Sequence, residues 1–145
     1  MKIRWLRAGA VLAMVSCRTF AQGLPATKVL TFDLARTIAQ EALAKCRSEG
    51  YKVTVRIVDG DNVVKVVLRD DDAVLTSAQT AQAKASAIVL SPFLAGRGGG
   101  NPNVGVPIRV ANRTIGAVGV SGAPTGEKDA ECANAGLSKV ADRLK

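Results

Sequence analysis

Lys84 is the side chain whose neighbours best equip it for binding chemistry. It shares a helical stripe with Ser77 and Thr80, and alanines take the opposite side of the same segment. An ammonium beside two hydroxyls suits a carboxylate ligand; the plainer alternative is a solvated helix face. Arg56 and Arg69 lie on the polar side of a predicted hairpin. Their guanidiniums either clamp an anionic ligand through paired hydrogen bonds or pair at the surface with Asp59, Asp70 or Asp72. Other chemistries are excluded. The chain has no histidine, which removes a Ser-His-Asp triad and zinc sites built from His and Cys. Gly119-Val-Ser121-Gly-Ala123 ends in alanine and is an incomplete nucleophile elbow. Gly98, Gly99 and Gly100 are followed by a strand and by no Gly-Lys-Ser/Thr, so the phosphate-loop context fails. Asp70, Asp71 and Asp72 read as a solvated turn rather than a paired acid and base.

The elements that must position these groups begin after a dispensable segment. Residues 1–21 have a basic start (Lys2, Arg4, Arg7), an apolar stretch from Ala8 to Ser16, and small residues at Thr19 and Ala21. This is the layout of a cleaved secretory signal. The apolar stretch falls short of the roughly 20 residues a membrane-spanning helix needs, so no transmembrane segment is expected. The expected location is periplasmic or secreted; the rival reading takes Met14-Val-Ser-Cys17 as a degenerate lipobox with Cys17 lipidated. Four of the 20 Lys and Arg lie in the signal and none of the 12 acidic residues does, so the remaining chain carries +4 rather than +8. With acids and bases interspersed and few aromatics, nucleic acid is not an expected partner.

Cys46 and Cys132 then remain as an even pair in an oxidising compartment. They form either a disulfide, worth roughly 4 kcal/mol in the chain-entropy model, or two buried thiols on helix faces.

Residues 22–30 form a polar lead, and residues 31–145 one domain. Thr31 caps a helix carrying Leu34, Ile38, Ala42 and Cys46 at i, i+4 spacing, which stops at Gly50. Residues 51–59 and 63–69 alternate with period two around Gly60-Asp-Asn62, a β-hairpin. Its apolar face holds Val53, Val55, Ile57, Val64, Val66 and Leu68. Asp59 is expected to accept backbone N–H bonds in the turn. A second helix runs from Thr76 or Ser77 to about Leu90, with Ala78, Ala81, Ala85 and Ile88 as its buried face, and Ser91-Pro92 ends it. An irregular Gly-rich loop, Phe93 to Val104, leads to a second hairpin, Val106–Ala111 and Thr114–Ser121. Thr125 or Gly126 opens the last helix, with Arg143 and Lys145 in its final turn. The order predicts an α+β domain: an antiparallel sheet of two hairpins, about four to five strands, packed by three helices.

In that order, Val55-Arg-Ile-Val-Asp59, Leu68-Arg69, Ala83-Lys84-Ala85, Gly105-Val-Pro-Ile108, Ile115-Gly-Ala-Val-Gly-Val-Ser-Gly122 and Asp129 to Leu137 resemble the GlcG/HbpS family. That family is also called the haem-degrading or DUF336 domain and includes the C-terminal domain of PduO-type proteins. The resemblance implies a profilin-like fold, compact homo-oligomers and, in some members, binding of haem or a related tetrapyrrole outside the cytoplasm. Lys84 would then meet a propionate. The chain departs from haem-binding members in lacking histidine, the commonest protein ligand to haem iron. Met1 and Met14 both leave with the signal. Of the conventional ligands, Tyr51, Cys46 and Cys132 remain; the thiols are unavailable if bridged, and Tyr51 also reads as a half-buried sheet-edge residue.

Two functions are therefore expected in competition. One is an exported binding protein for a small anionic ligand, with haem a candidate, held by Lys84, Thr80, Arg56, Arg69 and Tyr51 between the second helix and the Gly-rich loop. The other is a non-catalytic accessory protein that builds a homo-oligomer and docks on a partner. An enzyme acting on haem or a small oxidised metabolite is the weakest reading, because the usual acid–base and metal-ligating side chain is absent.

Overall fold

The structure, a computed structural model, describes residues 28–94 and 105–145. Helix α1 (Phe32–Ser48) starts where expected: the Thr31 side chain accepts the Leu34 N–H, with Asp33 in the first turn and Lys45 and Arg47 in the last. It stops where Gly50 takes a φ of +81°, a left-handed conformation that costs a glycine nothing.

Strands β1 (Thr54–Asp59) and β2 (Val64–Arg69) form the first hairpin. Asp59 Oδ1 accepts the N–H groups of Asp61 and Val63, as the turn reading requires. Val55 faces Leu68 and Ile57 faces Val66, but the register then shifts and Val58 pairs with Val64. That bulge moves Val64 off the apolar face assigned to it; its neighbours there are gone and it is exposed.

Helix α2 (Ser77–Leu94) runs past the expected stop at Ser91-Pro92. Proline in the last turn removes only the N–H that would have reached the Ile88 carbonyl. The Ser91 hydroxyl donates to that carbonyl at 2.9 Å, so the helix loses no partner by continuing.

Strands β3 (Val106–Val110) and β4 (Arg113–Ser121) form the second hairpin. Helix α3 (Gly126–Lys139) is capped by Thr125, which accepts the Lys128 N–H. It ends at Lys139; Arg143 lies not in its last turn but in a separate 3₁₀ turn, Ala141–Leu144.

The sheet order is β2-β1-β4-β3, antiparallel throughout. Helices α1 and α3 pack together on one face, where the main core holds Ile38, Cys46, Val55, Ile57, Val118, Val120 and Cys132. Helix α2 lies on the other face, chiefly over β4 and β1, around Val58, Ala85, Val89 and Ala117. The expected α+β domain is thus the observed one, with four strands and three α-helices among the described residues. Two glycines set how closely the elements pack, Gly119 between sheet and helix and Gly136 between the paired helices. A methyl group at Gly119 would overlap the Ala81 carbonyl oxygen of α2, and one at Gly136 would overlap the Ile38 carbonyl of α1. Where α1 and α3 cross, Cys46 and Cys132 are joined as a disulfide, with Cα atoms 5.5 Å apart. No described helix is long and apolar enough to cross a membrane.

Candidate functional site

Lys84 is 7% exposed, and its ammonium donates to Asp129 Oδ2 at 2.5 Å. The other carboxylate oxygen of Asp129 accepts the Ala123 N–H at 3.0 Å. Lys84 therefore ties α2 to the first turn of α3 and to the chain just beyond β4, joining the two helical layers. It shares the buried face of α2 with Ser77, Ala81, Ala85 and Val89, whereas Thr80 is exposed. The hydroxyl stripe read from the sequence is thus divided. Helical geometry explains this, because positions 77, 81, 84 and 85 fall within one arc once the alanine face meets the sheet. The Ser77 hydroxyl shares a 2.7 Å hydrogen bond with buried Thr54.

Arg56 and Arg69 serve the start of α2. An Arg56 Nη donates to the Ala78 carbonyl at 3.5 Å, and Arg69 donates to the Ala73 carbonyl. The Arg56 Nε is buried with no partner among the described residues. Neither arginine takes the acidic partners considered for it. Asp59 pairs with Lys65, and Asp70 receives both Nε and Nη2 of Arg47 at 3.0–3.1 Å. Asp70 is 3% exposed, so the acidic triplet is not a uniformly solvated turn; Asp71 and Asp72 are exposed. The Arg47 hydrogen bonds hold the Asp70 carboxyl below its ordinary range, against the opposing cost of burial. Tyr51 is half-buried against the core between the sheet and α1/α3. The five residues singled out from the sequence therefore do not converge on one site: Lys84 pairs with Asp129, Arg56 and Arg69 hold the start of α2, Thr80 is exposed, and Tyr51 lies on the other side of the sheet from α2.

A cleft of about 600 Å³ opens at the far end of α2, between its last turns and the β3–β4 hairpin. Its size is ordinary for a small-molecule site, about 300–1,000 Å³. Ile88, Val89, Pro92 and Pro107 give it an apolar lining, and Arg109 and Arg113 stand at its side. Both arginines are exposed, and neither makes an ion pair among the described residues. Apolar surface beside two free guanidiniums can take a flat, amphipathic dianion. A second cleft of about 320 Å³ mixes Asp59, Asp61, Lys65 and Arg113, but Asp59 is already committed to its turn and to Lys65. No group of three or more acidic or Cys side chains placed to hold a metal ion occurs among the described residues.

Sequence reasoning did not single out Arg109 or Arg113. Arg109 alternates with Ile108 and Val110 in the strand, and Arg113 closes the hairpin turn, so both read as ordinary outward positions. Asp129 was legible as the start of the family-like stretch Asp129 to Leu137 but not as a partner of Lys84, which lies 45 positions away.

The family model described as haem degrading protein HbpS-like matches residues 30–91 and 100–138. The chain belongs to this HbpS-like family. No curated protein matches the chain in sequence. Among solved structures, a double mutant of Streptomyces reticuli HbpS is 28% identical over 92% of this chain and 99% of its own, with a TM-score of 0.68. A PduOC:heme complex is 22% identical over 77% of this chain and 94% of its own, with a TM-score of 0.66. The Klebsiella pneumoniae protein ORFY, a DUF336 protein, is 24% identical over 80% and 94%, with a TM-score of 0.62. At those identities the last two show the shared fold. The HbpS-like fold thus supplies the sheet and helices, and the cleft is built from this chain's own side chains.

Proposed function

We propose that this HbpS-like chain is an exported binding protein that takes haem or a related tetrapyrrole in the cleft between α2 and the β3–β4 hairpin. The observation that carries the reading is the pairing of Arg109 and Arg113 with the apolar Ile88, Val89, Pro92 and Pro107. Tetrapyrroles of this kind present a flat apolar face and two propionates. The guanidiniums fit the carboxylates and the apolar lining fits the ring. Membership of a haem-degrading family and the haem in the PduOC structure support the same ligand class. The signal-like residues 1–21, which lie outside the described residues, and the Cys46–Cys132 bridge support export.

Haemin titration of the purified mature protein, followed by Soret absorbance, tests the reading. Saturation at fixed stoichiometry is expected, weakened about tenfold by Arg109→Gln or Arg113→Gln as charge-assisted hydrogen bonds are lost. A response no larger than that of an unrelated protein of similar charge would end the reading.

A second reading has its own observation. Edge strand β2 and the residues on either side of it expose Val63, Val64, Val67, Val74 and Leu75, the last at 85%. An apolar edge with unpaired backbone groups suits a second copy of the chain, because an antiparallel edge can pair with itself about a two-fold axis. Light scattering coupled to size-exclusion chromatography, with Leu75→Glu and Val67→Lys, tests it. Dissociation of an oligomer by these changes supports the interface; a monomeric parent chain opposes it.

A further inference from the structure

We infer that this site selects the porphyrin ring and its carboxylates rather than the iron, so that metal-free tetrapyrroles bind as well as haem does. The inference rests on the tetrapyrrole reading above and adds its specificity.

Selection of the ring over the metal follows from the donors this chain has for haem iron. Imidazole, thiolate, thioether and phenolate are the usual protein ligands. The chain contains no histidine, so neither this copy nor a second one seated beside it supplies imidazole. Its two methionines, Met1 and Met14, and Cys17 precede the described fold. Cys46 and Cys132 are bonded to each other and fully buried between α1 and α3. Tyr51 packs on the α1/α3 side of the sheet, and the cleft lies on the α2 side.

What lines the cleft acts on other parts of the ligand. Ile88, Val89, Pro92 and Pro107 carry no side-chain lone pair, the guanidiniums of Arg109 and Arg113 are donors without an acceptor, and Ser91, Asn112 and Thr114 offer only neutral hydroxyl and amide oxygens, which are not among the usual ligands of haem iron. A cationic guanidinium also disfavours approach to a ferric centre. The favourable contacts are therefore ring burial and carboxylate pairing, both of which haem shares with the same macrocycle lacking a metal. Esterifying the propionates removes the charge that the arginines recognise and leaves the ring unchanged.

The test compares haemin, protoporphyrin IX and protoporphyrin IX dimethyl ester on the same purified protein, by absorbance and by quenching of porphyrin fluorescence. Haemin and protoporphyrin IX are expected to bind within about threefold of each other, and the diester at least about tenfold more weakly. The Arg109→Gln, Arg113→Gln double variant should weaken both acids by the same factor. Haemin binding more than about tenfold tighter than protoporphyrin IX would overturn the inference while leaving the tetrapyrrole reading in place. Equal binding of the diester would overturn the carboxylate half of it. Binding of none of the three would instead overturn the tetrapyrrole reading, and the inference with it.

Discussion

Replacing Lys84 by Met removes one partner of an ion pair whose side chains are 8% and 6% exposed. The Asp129 carboxylate would then stay buried with only the Ala123 N–H as its described hydrogen-bond partner. Removing one partner of a buried pair costs about 3–5 kcal/mol, most of it the penalty for the charge left behind. For a domain of this size each kcal/mol is worth roughly 4 °C in Tm, so a fall of about 12–20 °C is expected. Adding Asp129→Asn should restore part of the loss, because the buried charge is gone while an acceptor for Ala123 remains. Urea unfolding of the parent, both single variants and the double variant gives the coupling directly, with an expected interaction above about 1.5 kcal/mol. A Lys84→Met penalty below about 1 kcal/mol, or single effects that add within about 0.5 kcal/mol, would refute the view that Lys84 joins the two helical layers.

Three further outcomes follow from the packing and charges. Reduction of the Cys46–Cys132 bridge, which closes a loop of 86 positions, should destabilise the fold by about 4 kcal/mol, read as a lower denaturation midpoint in dithiothreitol; an unchanged midpoint would deny the bridge its role. Arg47 holds the Asp70 carboxyl below its ordinary value of 3.8, so the associated stability is present above that pH and lost as pH falls through the lower folded value. Arg47→Gln should flatten this acid limb of a stability–pH profile, and an unchanged limb would contradict the assignment. Gly119→Ala should cost about 1–3 kcal/mol, because α2 must move off the Ala81 contact; a neutral result in thermal unfolding would mean that the layers are less tightly set than described.

The fold was legible because local rules and global packing agree at most positions. Period-two alternation marks both hairpins, and Thr31, Thr125 and Gly50 sit at the helix ends that their chemistry favours. The errors arose where one local detail changes a register. Val64 was misplaced because a bulge after Ile57 shifts every later partner, and the stop at Pro92 failed because the Ser91 hydroxyl fills the vacated acceptor. Lys84 and Asp70 had candidate roles in the sequence, but their partners lie 45 and 23 positions away, and pairing at that distance leaves no periodic trace. The cleft was harder still. It joins the end of α2 to a hairpin beyond residue 104, and the arginines beside it look like any outward strand or turn residues. The Gly-rich loop expected to border the pocket falls largely outside the described residues, and the cleft proposed as the site meets the second helix at its far end, beside Arg109 and Arg113.

Backbone amide NMR of the ¹⁵N-labelled protein during titration with protoporphyrin IX tests the central claim most directly, because ring currents shift the amides nearest the bound macrocycle. The account predicts that the largest shifts fall at Ile88, Val89, Arg109, Arg113 and Thr114, around the cleft. Shifts centred instead on Arg56, Arg69, Thr80 and Lys84 would contradict the placement and return the ligand to the start and middle of α2.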